Sequence, residues 1–124
     1  MLEQTGREVV DAAVGVHKEL GPGLLESAYL NCLCFELRLR GLGVEREKPL
    51  HLRYRGREMG IAYRVDLLVN ECVVVELKAV REITPIHEAQ LLSYLKLGSY
   101  RLGFLLNFNV RKMRDGIKRM VNGL

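Results

Sequence analysis

The sequence predicts an α/β fold in which one mixed β-sheet is covered by helices on both faces. Three observations support this prediction. Apolar residues recur at helical spacing in three segments, β-branched and other apolar residues dominate several shorter segments, and turn residues separate the two kinds. The second and third β-rich segments are apolar on both faces, so they belong at the centre of a sheet that is buried on both sides.

The first two elements are predicted to be a pair of helices. An apolar stripe at helical spacing indicates a helix over residues 3–20, with Thr5 as its N-cap. The Gly-Pro-Gly tripeptide that follows Leu20 ends this helix, and a second helical pattern runs from Leu24 to about Arg40.

Three β-rich segments follow and should pair as hairpins; they cover Val44–Tyr54, Ile61–Val69 and Cys72–Val80. A third helix begins at Thr84 or Pro85 and stops at Gly98, which leads to a fourth strand over Arg101–Phe108.

The tail over residues 111–121 fits either a basic helix or a turn followed by a short strand. The Asp115-Gly116 pair favours the turn, with a strand over Ile117–Val121. The element order is therefore ααβββαβ, with a further β at the end.

Composition limits the class of protein. A length of 124 residues suits a single domain over 1–124, and 48% hydrophobic with 27% charged residues argues against disorder. No apolar stretch is long enough to cross a bilayer, and residues 1–10 lack the apolar segment of a signal peptide. Three cysteines without metal or disulfide spacing agree with a cytoplasmic location. We expect no membrane partner, and the net charge of +4 permits a polyanionic one.

Three charged residues interrupt the most apolar third of the chain. Asp66 lies in one β-rich segment, and Glu76 and Lys78 share one face of the next. Buried charges are costly unless they are paired or bind a metal. Two carboxylates on neighbouring strands form an oxygen site suited to Mg²⁺ or Mn²⁺, and the lysine could then orient water or stabilise a phosphoryl transition state. The alternative is an ion pair with a purely structural role.

The register of the second and third strands decides whether this site can form. A two-residue turn at residues 70–71 would put Asp66 and Glu76 on opposite faces of the sheet. A three-residue loop over residues 70–72 puts them opposite each other on one face. We therefore expect the longer loop, with one of its first two residues at positive φ.

Two helices carry polar residues on otherwise apolar segments. Glu26 and Tyr29 lie three apart on the second helix, and His87, Gln90 and Tyr94 share one face of the third. That face should pack near Lys78, with the apolar residues Ile86, Ala89 and Leu92 covering the sheet. Each polar residue could also be an ordinary buried side chain with its hydrogen bonds satisfied.

Taken together, these motifs resemble the small bacterial GxxExxY proteins of the PD-(D/E)xK nuclease superfamily. The resemblance spans nearly the whole chain in the order Gly23-x-x-Glu26-x-x-Tyr29, Asp66, Glu76-x-Lys78 and Gln90-x-x-x-Tyr94.

The resemblance implies a restriction-endonuclease-like αβββαβ core and phosphodiester hydrolysis. It implies Asp66, Glu76, Glu26 and the carbonyl of Leu77 as metal ligands and Lys78 as the catalytic lysine. Gln90 and Tyr94 match a Q-x-x-x-Y element of some nuclease branches. Val65 stands where the superfamily name has proline, a position that varies among members.

The expected partner is nucleic acid, with DNA favoured by the habits of the superfamily, and the small size also allows a homo-oligomer. Basic residues could track phosphates, although such residues often form an ordinary solvated surface; they include Arg38, Arg40, Arg46, Lys48, Arg53, Arg55, Arg57, Arg111, Lys112, Arg114, Lys118 and Arg119. The rival hypothesis is a non-catalytic nucleic-acid or protein-binding module that keeps the nuclease fold.

Overall fold

The computed structural model describes residues 1–124 as three helices around one five-stranded sheet. The elements in chain order are α1 (Leu2–Leu20), α2 (Glu26–Leu39), β1 (Val44–Tyr54), β2 (Arg57–Val69), β3 (Val73–Lys78), α3 (Pro85–Gly98), β4 (Leu102–Asn107), a 3-10 turn (Met113–Gly116) and β5 (Ile117–Val121). All predicted elements are present, and the strand alternative for the tail is confirmed. α1 begins at Leu2, so Thr5 is buried inside the helix, and its prediction as N-cap was wrong.

The sheet has the strand order β1-β2-β3-β4-β5. β3 and β4 are parallel, and every other neighbouring pair is antiparallel, so the sheet is mixed as predicted. α3 forms the crossover that the parallel pair requires. β3 is therefore the central strand of the sheet.

Both faces of the sheet are covered, and each cover has its own apolar core. α1 and α2 pack on one face around 18 buried residues that include Val73 and Val75. α3 packs on the other face around seven buried residues that include Val74 and Leu95. Because successive residues of β3 alternate between the two cores, the central position inferred from its composition is confirmed.

The loop between β2 and β3 has the predicted length and sets the predicted register. Val69 pairs with Val73, and both Asn70 and Glu71 have positive φ angles of 50° and 58°. Asn70 is also held by its side chain, which accepts from the Gly43 N–H at 2.8 Å. Asp66 and Glu76 are consequently brought to the same end of the β2–β3 pair.

A cluster of ion pairs joins the two helices of the first face. The Arg40 guanidinium donates to carboxylates of Asp11 at 2.7 Å, Glu36 at 2.9 Å and Glu8 at 3.3 Å. These bonds fix the end of α2 against α1. None of the helices combines the length and apolar character needed to cross a membrane.

Candidate active site

The β2–β3 ladder stops before it reaches the charged residues. The last backbone pair is Leu67 with Val75. Beyond it, the Asp66 N–H donates to Glu76 Oε2 at 2.7 Å and the Leu77 N–H donates to Asp66 Oδ2 at 2.9 Å. Each carboxylate thus replaces a backbone carbonyl of the missing ladder, which locks the two side chains against each other.

The strands beside Asp66 are irregular at the point where the ladder opens. Val65 and Leu68 both pack in the core under α3, although residues three apart on a regular strand face opposite sides. On β1, the residue opposite Asp66 is Glu47, which has a φ of 52° and makes no ladder pair. Such irregularities re-aim side chains and are common beside functional sites.

The carbonyl of Leu77 faces this opening. Within a strand the N–H and C=O of one residue point to the same neighbour, and the Leu77 N–H points to Asp66 on β2. The next carbonyl, that of Lys78, accepts from Phe108 N–H on the opposite side at 3.0 Å. The Leu77 carbonyl therefore points to the side of Asp66, where β2 and β3 form no ladder pair.

The electrostatics of the pair are unfavourable in the absence of a cation. Glu76 is only 1% exposed, and burial together with the Asp66 charge raises its pKa to about 7. Burial also raises the pKa of Asp66, although the Leu77 N–H and the Lys78 ammonium oppose that shift. Two carboxylates in contact cannot both ionise cheaply unless a positive charge joins them.

Two tyrosines complete the side of the site below α3. The Tyr63 hydroxyl donates to Glu76 Oε1 at 3.0 Å, and its ring stacks on Tyr94 with 4.0 Å between ring centroids. Burial, followed by the Glu76 charge, raises the pKa of the Tyr63 hydroxyl. Tyr63 therefore stays protonated and donates the hydrogen bond to Glu76. Sequence reasoning found Tyr94 but missed Tyr63, because a tyrosine on an outer strand segment carries no pattern of its own.

The motif at the start of α2 orders a loop and places a third carboxylate. Tyr29 is fully buried; its hydroxyl donates to the Gly21 carbonyl at 2.6 Å and accepts from the Leu24 N–H at 3.1 Å. Glu26 is the first residue of the helix that follows. Loss of solvation, followed by the Asp66 charge, raises the pKa of the Glu26 carboxyl, and the Lys78 ammonium lowers it.

The same tyrosine connects this loop to the end of β3. The Tyr29 ring stacks on Phe108 with 4.6 Å between centroids, and the Phe108 N–H is bonded to the Lys78 carbonyl. The Lys78 side chain is half-buried, and its charge lowers the pKa values of Glu26, Asp66 and Glu76 alike. Lys78 is therefore the cation whose field reaches all three carboxylates.

The helix α3 contacts the site with fewer residues than expected. His87 caps its own helix, since Nδ1 accepts from the Thr84 N–H at 3.0 Å. Gln90 is exposed and makes no hydrogen bond within the protein, so a buried structural role is excluded. The core under α3 uses Leu91 and Leu95.

The predicted apolar cover of α3 was wrong. Ile86 is 62% exposed and Ala89 is exposed as well, whereas Leu92 is half-buried. The cause is rotational: α3 is apolar around most of its circumference, so its pattern did not specify which side meets the sheet.

The donor set fits a hard divalent cation that keeps part of its hydration. No three His, Cys, Asp or Glu side chains lie close enough to form a metal site by themselves. Asp66, Glu76 and the Leu77 carbonyl nevertheless offer adjacent oxygens, and Mg²⁺ commonly retains several waters beside one or two carboxylates. The raised pKa of Glu76 is the expected cost of holding such a pair without the ion.

Comparison with known proteins identifies the family of the chain. The family model of the PD-(D/E)XK nuclease superfamily matches residues 3–120. No curated protein and no solved structure gave a significant match. The match covers nearly the whole chain, and the mixed five-stranded sheet with its flanking helices has the restriction-endonuclease-like fold. The family match indicates a nuclease, and the chain belongs to the PD-(D/E)XK nuclease superfamily.

Proposed function

We propose that this chain, as one domain of residues 1–124, is a Mg²⁺- or Mn²⁺-dependent nuclease that hydrolyses phosphodiester bonds in DNA. We also propose that it belongs to the GxxExxY branch of its superfamily. The observation that carries the proposal is the interlocked pair of Asp66 and Glu76, in which the half-buried Asp66 carboxylate and the buried Glu76 carboxylate each accept from a backbone N–H where the two strands stop pairing. A structural role would not require two acidic side chains here, because amide side chains could accept from the same N–H groups without the cost of a buried charge.

The carboxylates of Asp66 and Glu76 and the carbonyl of Leu77 would hold the ion directly, and the Glu26 carboxylate would complete the site from a greater distance. When bound, a divalent cation supplies positive charge at the scissile phosphate and a water of lowered pKa. Because Mg²⁺ keeps several waters, Glu26 can act through one of them without direct coordination.

Lys78 is proposed as the catalytic lysine. The proposal is supported by the charge of Lys78, which lowers the pKa values of all three carboxylates. Lys78 would orient the attacking water or stabilise the charge that develops on the phosphoryl oxygens.

Tyr94 and Gln90 have different proposed roles on α3. Tyr94 stacks on Tyr63 and so helps to position the hydroxyl that donates to Glu76. Gln90 is free to donate to a substrate phosphate, since it is exposed and has no partner in the protein.

Metal binding is the first test. Mg²⁺ or Mn²⁺ should raise the thermal midpoint of the wild type, because a ligand of the folded state stabilises it by mass action. Asp66→Ala should abolish this shift. The matched control is Glu3→Ala, which removes an exposed carboxylate at the start of α1, near the opposite end of β4, and should leave the shift unchanged. Equal shifts in all three proteins would contradict the proposed metal site.

Catalysis is the second test. Lys78→Ala should lower DNA cleavage by about 10²- to 10⁴-fold while DNA affinity is largely kept, since the lysine acts on the transition state. Lys18→Ala, at an exposed position on α1, is the control. Cleavage that is equal in both variants and independent of metal would indicate a contaminating nuclease.

The alternative is a binding module that keeps the nuclease fold without catalysis. The absence of a ready cluster of three metal-binding side chains is the observation in its favour. This alternative predicts nucleic-acid binding by the wild type that neither divalent metal nor Asp66→Ala affects, with no cleavage of any DNA or RNA substrate. Either activity could require a homo-oligomer, which the metal and cleavage assays should therefore cover at several protein concentrations.

A further inference from the structure

The β1–β2 hairpin continues beyond the rest of the sheet. Every residue from 51 to 62 is exposed, and β3 pairs with β2 no further than Val75. We call residues 51–62 the hairpin arm. From Tyr63 to the turn at Gly56 it extends about 20 Å, at roughly 3.3 Å per residue.

The hairpin arm is ordered by its own contacts. Its turn has positive φ angles at Arg55 and Gly56, and the Arg53 guanidinium donates to the Gly56 carbonyl at 2.8 Å. Glu58 accepts from the Gly60 N–H at 3.0 Å and lies 3.0 Å from His51 Nδ1. The arm is thus a preorganised two-stranded ribbon, which reduces the entropy lost on binding a partner.

The charge of the hairpin arm is strongly positive for its length. It carries three arginines and one acidic residue. That acid, Glu58, is already paired with His51 and lies 4.0 Å from the Arg53 guanidinium. Arg55 and Arg57 form no ion pair, so both are free to bind an anionic partner.

Apolar side chains lie between the charges. Tyr54 is 63% exposed, Met59 58% and Leu52 39%. Tyr54 is paired directly with Arg57 in the ladder. Exposed apolar groups on a projecting element mark an interaction surface. Their interleaving with arginines suits a partner that presents phosphates together with sugars and base edges.

The position of the hairpin arm relates it to the candidate active site. β2 runs antiparallel to β3, so the arm leaves the sheet at the Lys78 end of β3. Its base is Tyr63, which donates to Glu76. At the same end, β4 leads to the segment of residues 111–114, because Asn107 of β4 is opposite Lys78. Its basic residues Arg111, Lys112 and Arg114 are exposed, whereas Met113 is buried. Two basic segments therefore flank the site.

We propose that the hairpin arm binds in the major groove of duplex DNA and holds the duplex across the candidate active site. This inference rests on the proposed function for the choice of substrate. The major groove of B-form DNA is wide enough for a two-stranded β-ribbon, whereas the deep, narrow major groove of RNA duplexes excludes it.

Binding without divalent metal tests the hairpin arm independently of catalysis. Arg55→Ala/Arg57→Ala should weaken binding to a labelled DNA duplex of about 20 base pairs by at least about tenfold. The slope of log affinity against log salt concentration (the salt slope) should become smaller by about 2, because each lost phosphate contact contributes about 0.9. The control is Arg7→Ala/Arg101→Ala, which removes the same charge from exposed positions outside the arm. Its affinity should stay within about twofold of the wild type.

Three results would overturn the inference. The first is an unchanged affinity and salt slope in the arm variant. The second is an equal loss in the control, which would mean that only net charge matters. The third is an equal, arm-dependent affinity for an RNA duplex of the same sequence, which the groove geometry forbids.

The test also separates this inference from the proposed function. If duplex binding depends on the arm but metal causes no thermal shift, the nuclease proposal fails and the arm belongs to the binding module. If metal binding and Lys78-dependent cleavage hold while the arm variant binds and cleaves like the wild type, the arm inference fails alone.

Discussion

The two halves of the β2–β3 pair belong to the same two strands but differ in how their backbone N–H groups are hydrogen-bonded. In the half next to the loop, residues 67–69 pair with residues 73–75 through backbone hydrogen bonds, and their side chains fill both cores. In the other half the ladder ends, and the carboxylates of Asp66 and Glu76 accept the backbone N–H groups instead. The paired half contributes stability, and the open half gives up stability to hold charge.

This contrast shows how a small sheet makes a site without a separate loop. A carboxylate can substitute for a ladder carbonyl only where the two strands stop pairing, and the β2–β3 ladder ends at Leu67 and Val75. The substitution satisfies the backbone donors, so the site costs electrostatic energy and leaves no N–H without a partner. Mutations in the two halves should therefore have effects of opposite sign.

The largest effect is expected in the paired half. Leu68→Ala should lower the free energy of unfolding by about 2 to 5 kcal/mol, because Leu68 is 2% exposed in the core under α3. Leu52→Ala, at a position that is 39% exposed, is the matched control and should cost less than about 1 kcal/mol. Urea denaturation measures both. The metal-induced thermal shift should survive in Leu68→Ala, and its loss would mean that the two halves are not independent.

The open half should respond in the opposite direction. Glu76→Gln should stabilise the metal-free protein at pH 8 by about 2 kcal/mol, since it removes a buried charge of raised pKa. The amide can still accept from the Asp66 N–H and donate to the Tyr63 oxygen, so the hydrogen bonds remain. The same variant should lose the metal-induced shift. A destabilised Glu76→Gln protein would show that the carboxylate has a structural role.

The raised pKa of Glu76 also predicts how the stability of the protein changes with pH. The pKa of Glu76 is about 7 in the folded protein and near its ordinary value of 4.5 in an unfolded chain. Its contribution to stability is complete below about pH 4.5 and is lost as pH rises through 7, because the unfolded state then releases the proton more readily. The stability of the wild type should therefore fall relative to Glu76→Gln between pH 5 and 8, and parallel curves would contradict the shift.

The smallest effect on stability is expected on α3. Gln90→Ala should change the free energy of unfolding by less than about 0.5 kcal/mol, because Gln90 is exposed and makes no hydrogen bond in the protein. If Gln90 binds a substrate phosphate as proposed, DNA cleavage should fall by about tenfold. Ser93→Ala, at another exposed position of α3, is the control. A melting curve and a cleavage assay suffice, and normal activity in Gln90→Ala would remove it from the site.

Most of the fold could be predicted because apolar periodicity and turn residues are local features of the sequence. The length of the loop after Val69 was deduced from the need to bring Asp66 opposite Glu76, and the register confirms it. Thr5 was mistaken for a cap, because a threonine followed by a glutamate looks the same inside a helix as at its start. The orientation of α3 was wrong for a different reason: its apolar residues surround the helix, so only contact with β1, β4 and β5 selects a face.

By itself, the sequence determined the element order, the central place of β3 and the residue types that can hold a cation, since apolar patterning and charge placement are written residue by residue. The tertiary structure alone decided what those residues do to one another. The end of the β2–β3 ladder, the Leu77 N–H bonded to Asp66 and the Tyr63 hydroxyl bonded to Glu76 depend on where the two strands separate. Strand separation is set by packing across the whole sheet, which no local pattern encodes.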